Sequence, residues 1–414
     1  MNTSIGRVAG VLAVAMALCL ALPATASAAS LGFGKIHFSG FIRDYYFTRT
    51  QRVGQNRRSF SLGGKLHFET TEKAGLGVGA SLFTAQPFDL NSSNISLVDV
   101  TVPGTPLTAL GEAYLGYRAP GVQGKFGAML VNTPWAPPSD SRMIPSTFEG
   151  LITSEKLGPF ITFTADRLYR FKNRTDAYFT EHTLLTTAPS PGVLILNGTY
   201  AAGPVTTSLW YNNFYDIARL GYGEFKFRNA KGGMVQPYVN FQIGNEGSSG
   251  SALVGKVSSN FTGEQVGVAS PHLDVSVAYN LIPLRTGFFR GGGIASPYTS
   301  SYQTDPLYTT QMFTGLVESG AGHGIKGAAT YWSPDRRFRI VASRANYYLY
   351  TSVKGTPVNN QAETDIDTTY FTNGAAKNGT WNGLAIRYRL GFENDTGAPQ
   401  EFTYSRLMFE YDFN

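Results

Sequence analysis

Apolar and polar residues alternate with a period of two along much of this chain, and the two parities differ sharply in character. In the C-terminal segment TYSRLMFEYDFN, Leu407, Phe409, Tyr411 and Phe413 share one face, while Arg406, Met408, Glu410 and Asp412 share the other. GLAIRYRLGFE repeats the split, with Leu384, Ile386, Tyr388, Leu390 and Phe392 opposite Ala385, Arg387, Arg389 and Glu393. GEFKFR, KLHFE, RRFRI and DVSVAYNL do the same: Phe225 and Phe227, Leu66 and Phe68, Phe338 and Ile340, and Val275 and Val277 alternate with charged or polar neighbours. Period two is the signature of strands with one face in an apolar medium and one in water. Clusters of turn residues separate these segments, among them NGTY (197–200), GNEGSSGS (244–251), KNGTWNG (377–383) and ENDTGAPQ (393–400).

A soluble sandwich also alternates, but its outward face is polar. Here the apolar faces are strongly aromatic over many strands, and the N-terminus carries an export signal. Arg7, the apolar run Val8 to Leu22, Pro23 and the small residues Ala26, Ser27, Ala28 and Ala29 fit a signal peptide over residues 1–29, cleaved to leave 30–414 as one domain. The apolar run is short for the ~20 residues of a membrane span. A lipid anchor at Cys19 is disfavoured by Leu18 before it, and Cys19 is the only cysteine. The exported chain therefore has no disulfide, no thiolate metal site and no cysteine nucleophile.

These observations predict an all-β transmembrane antiparallel β-barrel. Lipid forbids an open sheet edge, because unpaired backbone groups cost several kcal/mol each. About 10 residues per tilted strand allow some 14 to 18 strands over residues 30–414, enough for a water-filled lumen. Composition agrees: 47 Gly, 28 Phe and 23 Tyr stand beside only 15% charged residues, and a mean hydropathy of -0.12 suits a greasy exterior averaged with a polar interior. The formal charge of +6 becomes +5 once Arg7 is removed, with no basic run that suggests nucleic acid. No metal or cofactor motif is present, and the carboxylates Asp365 and Asp367 of TDIDT read as loop charges.

NTPWAPPSDSRMIP (132–145) has neither helical nor strand periodicity, and follows the strand-like FGAML (126–130). Its four prolines lower the entropy cost of one fixed shape. Two placements fit: an exposed extracellular loop, or a loop folded into the lumen where Ser139, Asp140, Ser141 and Arg142 would meet a solute. The inward placement is the one adopted.

Several segments then resemble the substrate-specific outer-membrane porins of the OprD family. FIRDYYFTR (41–49) is similar to the family's first strand, and NTPWAPPSDSRMIPSTFEG to its constriction loop. LWYNNFYDIARLGYGEF (209–225) is similar to its aromatic, aspartate-isoleucine, arginine stretch, and LAIRYRL (384–390) to a late strand with two lumen-facing arginines. The resemblance implies 18 strands, an inward-folded third loop, and a ladder of basic residues along one pore wall. Carried over by position, Arg387 and Arg389 match the late strand, Arg337 and Arg339 match more loosely, Arg43 belongs to the first strand, and Asp140 and Arg142, with Ser139 and Ser141, belong to the loop. The final residue is Asn414 rather than an aromatic, with Phe413 one position early.

The resulting expectation is a channel in the bacterial outer membrane for passive, selective diffusion of small carboxylate-containing solutes such as amino acids and organic acids. It is no enzyme. Its partners would be solutes, outer-membrane lipid and the barrel-assembly machinery, with a monomer or weak homotrimer as its state. A general trimeric porin is the rival of the same class. A hydrolase would need a serine–histidine pair, for which the five histidines show no motif spacing, and an adhesive or structural barrel is the remaining rival.

Overall fold

The computed structural model describes residues 35–70, 75–88, 90–99, 105–139, 142–229, 234–299, 304–350, 360–375, 383–395 and 402–414. The signal-peptide expectation for residues 1–29 lies outside them. Eighteen strands follow one another: β1 (Ile36–Gln51), β2 (Arg57–Thr70), β3 (Leu76–Gln86), β4 (Leu107–Ala119), β5 (Val122–Met129), β6 (Thr147–Leu157), β7 (Ile161–Lys172), β8 (Val193–Ala202) and β9 (Val205–Phe214). The second half comprises β10 (Ala218–Arg228), β11 (Gln236–Ser248), β12 (Ser258–Ala269), β13 (Leu273–Ile282), β14 (Gly322–Trp332), β15 (Phe338–Leu349), β16 (Asn360–Phe371), β17 (Gly383–Asp395) and β18 (Phe402–Phe413).

Each strand pairs antiparallel with its sequence neighbours, and β1 pairs with both β2 and β18, so the sheet closes. Closure removes every edge, as lipid requires. The segments 120–121, 203–204 and 270–272 connect strands at one end, whereas 87–106, 130–146, 173–192 and 283–321 lie at the other. Short periplasmic turns and long extracellular loops give the barrel its orientation.

The alternation in the sequence is realised strand by strand. Leu209, Ile243 and Phe126 are 60–65 % exposed and point outward, and so large an apolar exterior is stable only against hydrocarbon. Inward positions are buried or polar. A one-residue slip would exchange the two faces, and a bulge in β4 uses this to re-aim side chains. Ser81 pairs with Glu112 but Leu82 pairs with Leu110, so Gly111 is the extra residue. Leu110 and Leu115 consequently face lipid while Glu112 and Tyr114 are buried inside. A Cβ on Gly111 would stand 2.1 Å from the Phe83 ring, so no larger residue fits there. RRFRI departs from the expected pattern: β15 begins at Phe338, and Arg337 is an exposed residue of the preceding turn.

Candidate functional site

Two long loops fill the lumen, and both are held by residues of the inner wall. The loop 130–146 crosses it. Trp135 is fully buried, with its ring edge-on to Tyr222 of β10 at 5.6 Å and to Phe261 of β12 at 5.7 Å. Met143 and Ile144, further along the same loop, are also fully buried and pack with Tyr45 and Phe47 of β1, Phe83 of β3, and Tyr404 and Met408 of β18. Strands β1 and β10 are nine apart in a ring of eighteen and therefore face each other across the pore. The Ser146 N–H donates to the Pro138 carbonyl at 2.6 Å, closing the stretch that bears the SDSR sequence.

The second inward loop is 283–321. Its backbone is fastened to carboxylates of β16: Glu363 accepts N–H bonds from Phe313 at 3.0 Å and Thr314 at 2.7 Å, and Asp365 accepts one from Met312 at 3.1 Å. The Tyr404 hydroxyl donates to both carboxylates. Tyr404 itself lies across Gly391 of β17, where a Cβ would sit 2.0 Å from the ring. Asp365 is thus a loop anchor on a strand rather than a loop charge, because TDIDT continues the period-two pattern and turns both aspartates inward.

Asp367, two residues on, is the centre of a basic group. Arg387 Nε donates to it at 2.8 Å and a second nitrogen of the same guanidinium bonds its other oxygen. Arg389 Nε donates at 3.2 Å, and Arg339 Nη2 lies 3.7 Å away. Three guanidiniums against one carboxylate leave two positive charges uncompensated within the group. Arg406 of β18 is the register partner of Arg389 and extends the group sideways. It is 2 % exposed, with its guanidinium over the rings of Tyr404 at 4.7 Å, Phe313 at 4.8 Å and Phe47 at 5.5 Å. None of its side-chain nitrogens has a hydrogen-bond partner among the described residues.

A family model described as outer membrane porin, OprD family, matches residues 34–414. The chain belongs to the OprD family. Its place is the bacterial outer membrane, and its architecture is the porin barrel. Among solved structures, Pseudomonas aeruginosa OpdK with vanillate has a TM-score of 0.78 at 17% identity, covering 92% of this chain and 100% of that one. Pseudomonas aeruginosa OccK2 (OpdF) in complex with glucuronate gives 0.75 at 16% identity, over 92% and 99%. A BenF-like porin from Pseudomonas fluorescens Pf-5 gives 0.76 at 14%, over 91% and 98%. No curated protein sequence matches the chain.

In this OprD-family porin the nine residues singled out from the sequence separate into groups. Arg387, Arg389 and Arg339 converge on Asp367. Arg43 sits on the same wall but is occupied: it is paired with Glu410, and donates to the carbonyl oxygens of Arg142 and Met143, so it ties the crossing loop to β1. Arg142 is 1 % exposed and lies over the rings of Phe47 at 5.6 Å and Phe313 at 5.7 Å. The Ser139 hydroxyl accepts a bond from Arg174 at 2.9 Å. Asp140 and Ser141 lie outside the described residues, and Arg337 stands apart in its turn.

Arg406 was missed as a candidate. Its parity in TYSRLMFEYDFN already pointed inward, but only the register that sets it beside Arg389 reveals the patch. A serine–histidine contact does occur on the wall, with Ser81 Oγ 2.8 Å from His67 Nδ1. That hydroxyl donates to Glu112, so its proton is held by a carboxylate rather than offered to the imidazole, the reverse of an activated nucleophile.

Proposed function

We propose that this porin passes small carboxylate-containing solutes, amino acids and organic acids among them, by passive and selective diffusion along the wall of β15 to β18. The observation that carries this reading is the basic group itself, in which one carboxylate serves three arginines and Arg406 adds a guanidinium with no acceptor of its own. Unit charges about 4 Å apart interact by about 4 kcal/mol at an effective dielectric of 20, against about 1 kcal/mol in water. A solute carboxylate therefore gains most where the two loops leave least room for water. Conduction also requires release. Neighbouring guanidiniums allow this, because a carboxylate can exchange one for the next instead of leaving a single deep site. No bond is made or broken in the solute.

Vanillate and glucuronate, named with the OpdK and OpdF structures, both carry a carboxylate, which supports the reading. Assembly by the barrel-assembly machinery and a monomeric or weakly trimeric state accompany it. Uptake into liposomes bearing the purified barrel tests the function. Labelled propionate is expected to enter faster than an uncharged solute of equal size, to saturate, and to be competed by other carboxylates. Linear, uncompeted uptake would return the protein to the general porins.

A further inference from the structure

The lipid-facing surface is apolar over most of its area, but charged residues interrupt it. Glu264 lies on β12, on the same outward parity as the exposed Val266 and Val268. It is exposed itself, and makes no hydrogen bond or ion pair among the described residues. Arg344 is exposed on the outward parity of β15, with Ala342 and Asn346 on either side of it. Its guanidinium donates to the Thr364 hydroxyl at 2.9 Å and to the Asn346 amide oxygen at 3.4 Å. It pairs with no carboxylate among the described residues.

The two charges share one depth. Glu264 is five residues from Ala269, the periplasmic end of β12, and Arg344 is six from Phe338, the periplasmic end of β15. A rise of about 3.3 Å per residue along strands tilted by about 40° sets them roughly 13 and 15 Å above those ends, near the middle of an apolar band about 25 Å tall. A charge on the lipid face costs most at that level, and headgroup phosphates lie at the edges of the band. Charges within a membrane are therefore found paired. Within one barrel Glu264 and Arg344 do not meet, because three strand spacings, about 14 Å, separate their backbones.

A second copy of the chain brings them together. Three strand steps in a closed ring of eighteen span a sixth of the circumference, about 60°. Three equal rings packed around a threefold axis touch one another at points that far apart on each ring. We propose that the barrel forms a closed homotrimer in the membrane, in which Glu264 of each copy pairs with Arg344 of the next. Each contact is head-to-tail, and the threefold rotation closes the set. Gly327, the register partner of Arg344, and Ala342 are small and exposed beside it, so a neighbouring barrel can approach closely. Asp44, an outward carboxylate of β1, is half-buried and four strands from Arg344, about 80° round the ring and wider than a threefold contact requires. The inference goes beyond the solute reading above and is independent of it.

Cross-linking in liposomes tests the trimer while both charges stay in place. Val266 and Ala342 each lie two residues from the charge on the same outward face. Val266→Cys and Ala342→Cys are combined with Cys19→Ser, which leaves no other cysteine, and treated with a bifunctional thiol reagent. Covalent trimers are expected as the end-point. Adding Arg344→Glu should reduce them at least fivefold, and adding Glu264→Arg to that variant should restore them. If a reversed variant fails to assemble, Arg344→Gln should give the same loss. Dimers as the end-point, no product, or a yield that ignores the charges would overturn the proposal. Restoration of the Arg344→Glu variant by Asp44→Arg in place of Glu264→Arg would also overturn it. Solute uptake per barrel is expected to stay within twofold throughout, so failure of the channel reading leaves this test intact.

Discussion

The crossing loop joins two walls built from different chemistry. Where it meets β10 and β12 the contact is aromatic: Trp135 sits between Tyr222 and Phe261. Where it meets β1 and β18 it lies among guanidiniums, with Arg43 bonded to its carbonyls, Arg142 over Phe47, and Arg406 over the same ring. An apolar seat gives position, since packing is lost with any displacement, but it offers a solute nothing to exchange. A charged wall offers exchange, but only if something holds the passage narrow beside it. The constriction needs both, and the porin assigns one task to each side.

The sharpest way to break this division is at its aromatic side. Trp135→Ala should remove about 3–5 kcal/mol of packing, freeing the loop; a higher single-channel conductance with weaker solute discrimination is expected in planar bilayers. Unchanged conductance would mean that Trp135 does not position the constriction. On the charged side, Asp367→Asn takes away the anion shared by three arginines. Bonds to charged groups contribute about 1.5–3 kcal/mol each, so thermal stability in detergent should fall while anion preference rises. A fall in both would show that Asp367 orients the arginines more than it neutralises them.

Tyr404→Phe deletes the hydroxyl that donates to Glu363 and Asp365. A loss of about 1.5 kcal/mol should appear as more frequent closures by the loop 283–321 in single-channel traces. The smallest effect concerns Asp305 in that loop, whose carboxyl is pushed up to about 6 by burial. A carboxyl with a folded pKa above its unfolded value of 3.8 stabilises the folded loop while protonated. That contribution is complete below about pH 3.8 and is lost as pH rises to about 6, so closures should be rarer at pH 4 than at pH 7.

Much of the barrel was legible because its physics is local. Which face of TYSRLMFEYDFN meets lipid follows from parity alone, and Arg387 and Arg389 fell on the inner side for the same reason. The crossing of the loop 130–146 was legible only as one of two placements, since prolines stiffen a loop without saying where it goes. The inward course of 283–321 was not legible. Its fastening depends on Glu363 and Asp365 of a strand far along the chain, and carboxylates spaced by two in TDIDT look the same whether they bind water, arginine or backbone. Arg337 was misplaced because the alternation of RRFRI runs back as far as its second residue, Arg337, and alternation does not mark where a strand begins.

On the reading proposed above, the guanidiniums of β17 and β18 select the solute's charge. Reversal potentials in planar bilayers under a salt gradient measure this directly, comparing wild type with the combined Arg387→Ala, Arg389→Ala and Arg406→Ala variant. The wild type is predicted to prefer anions, and the variant to lose that preference or reverse it while remaining open. An unchanged reversal potential in an open, fully assembled variant would mean that these arginines do not set the selectivity.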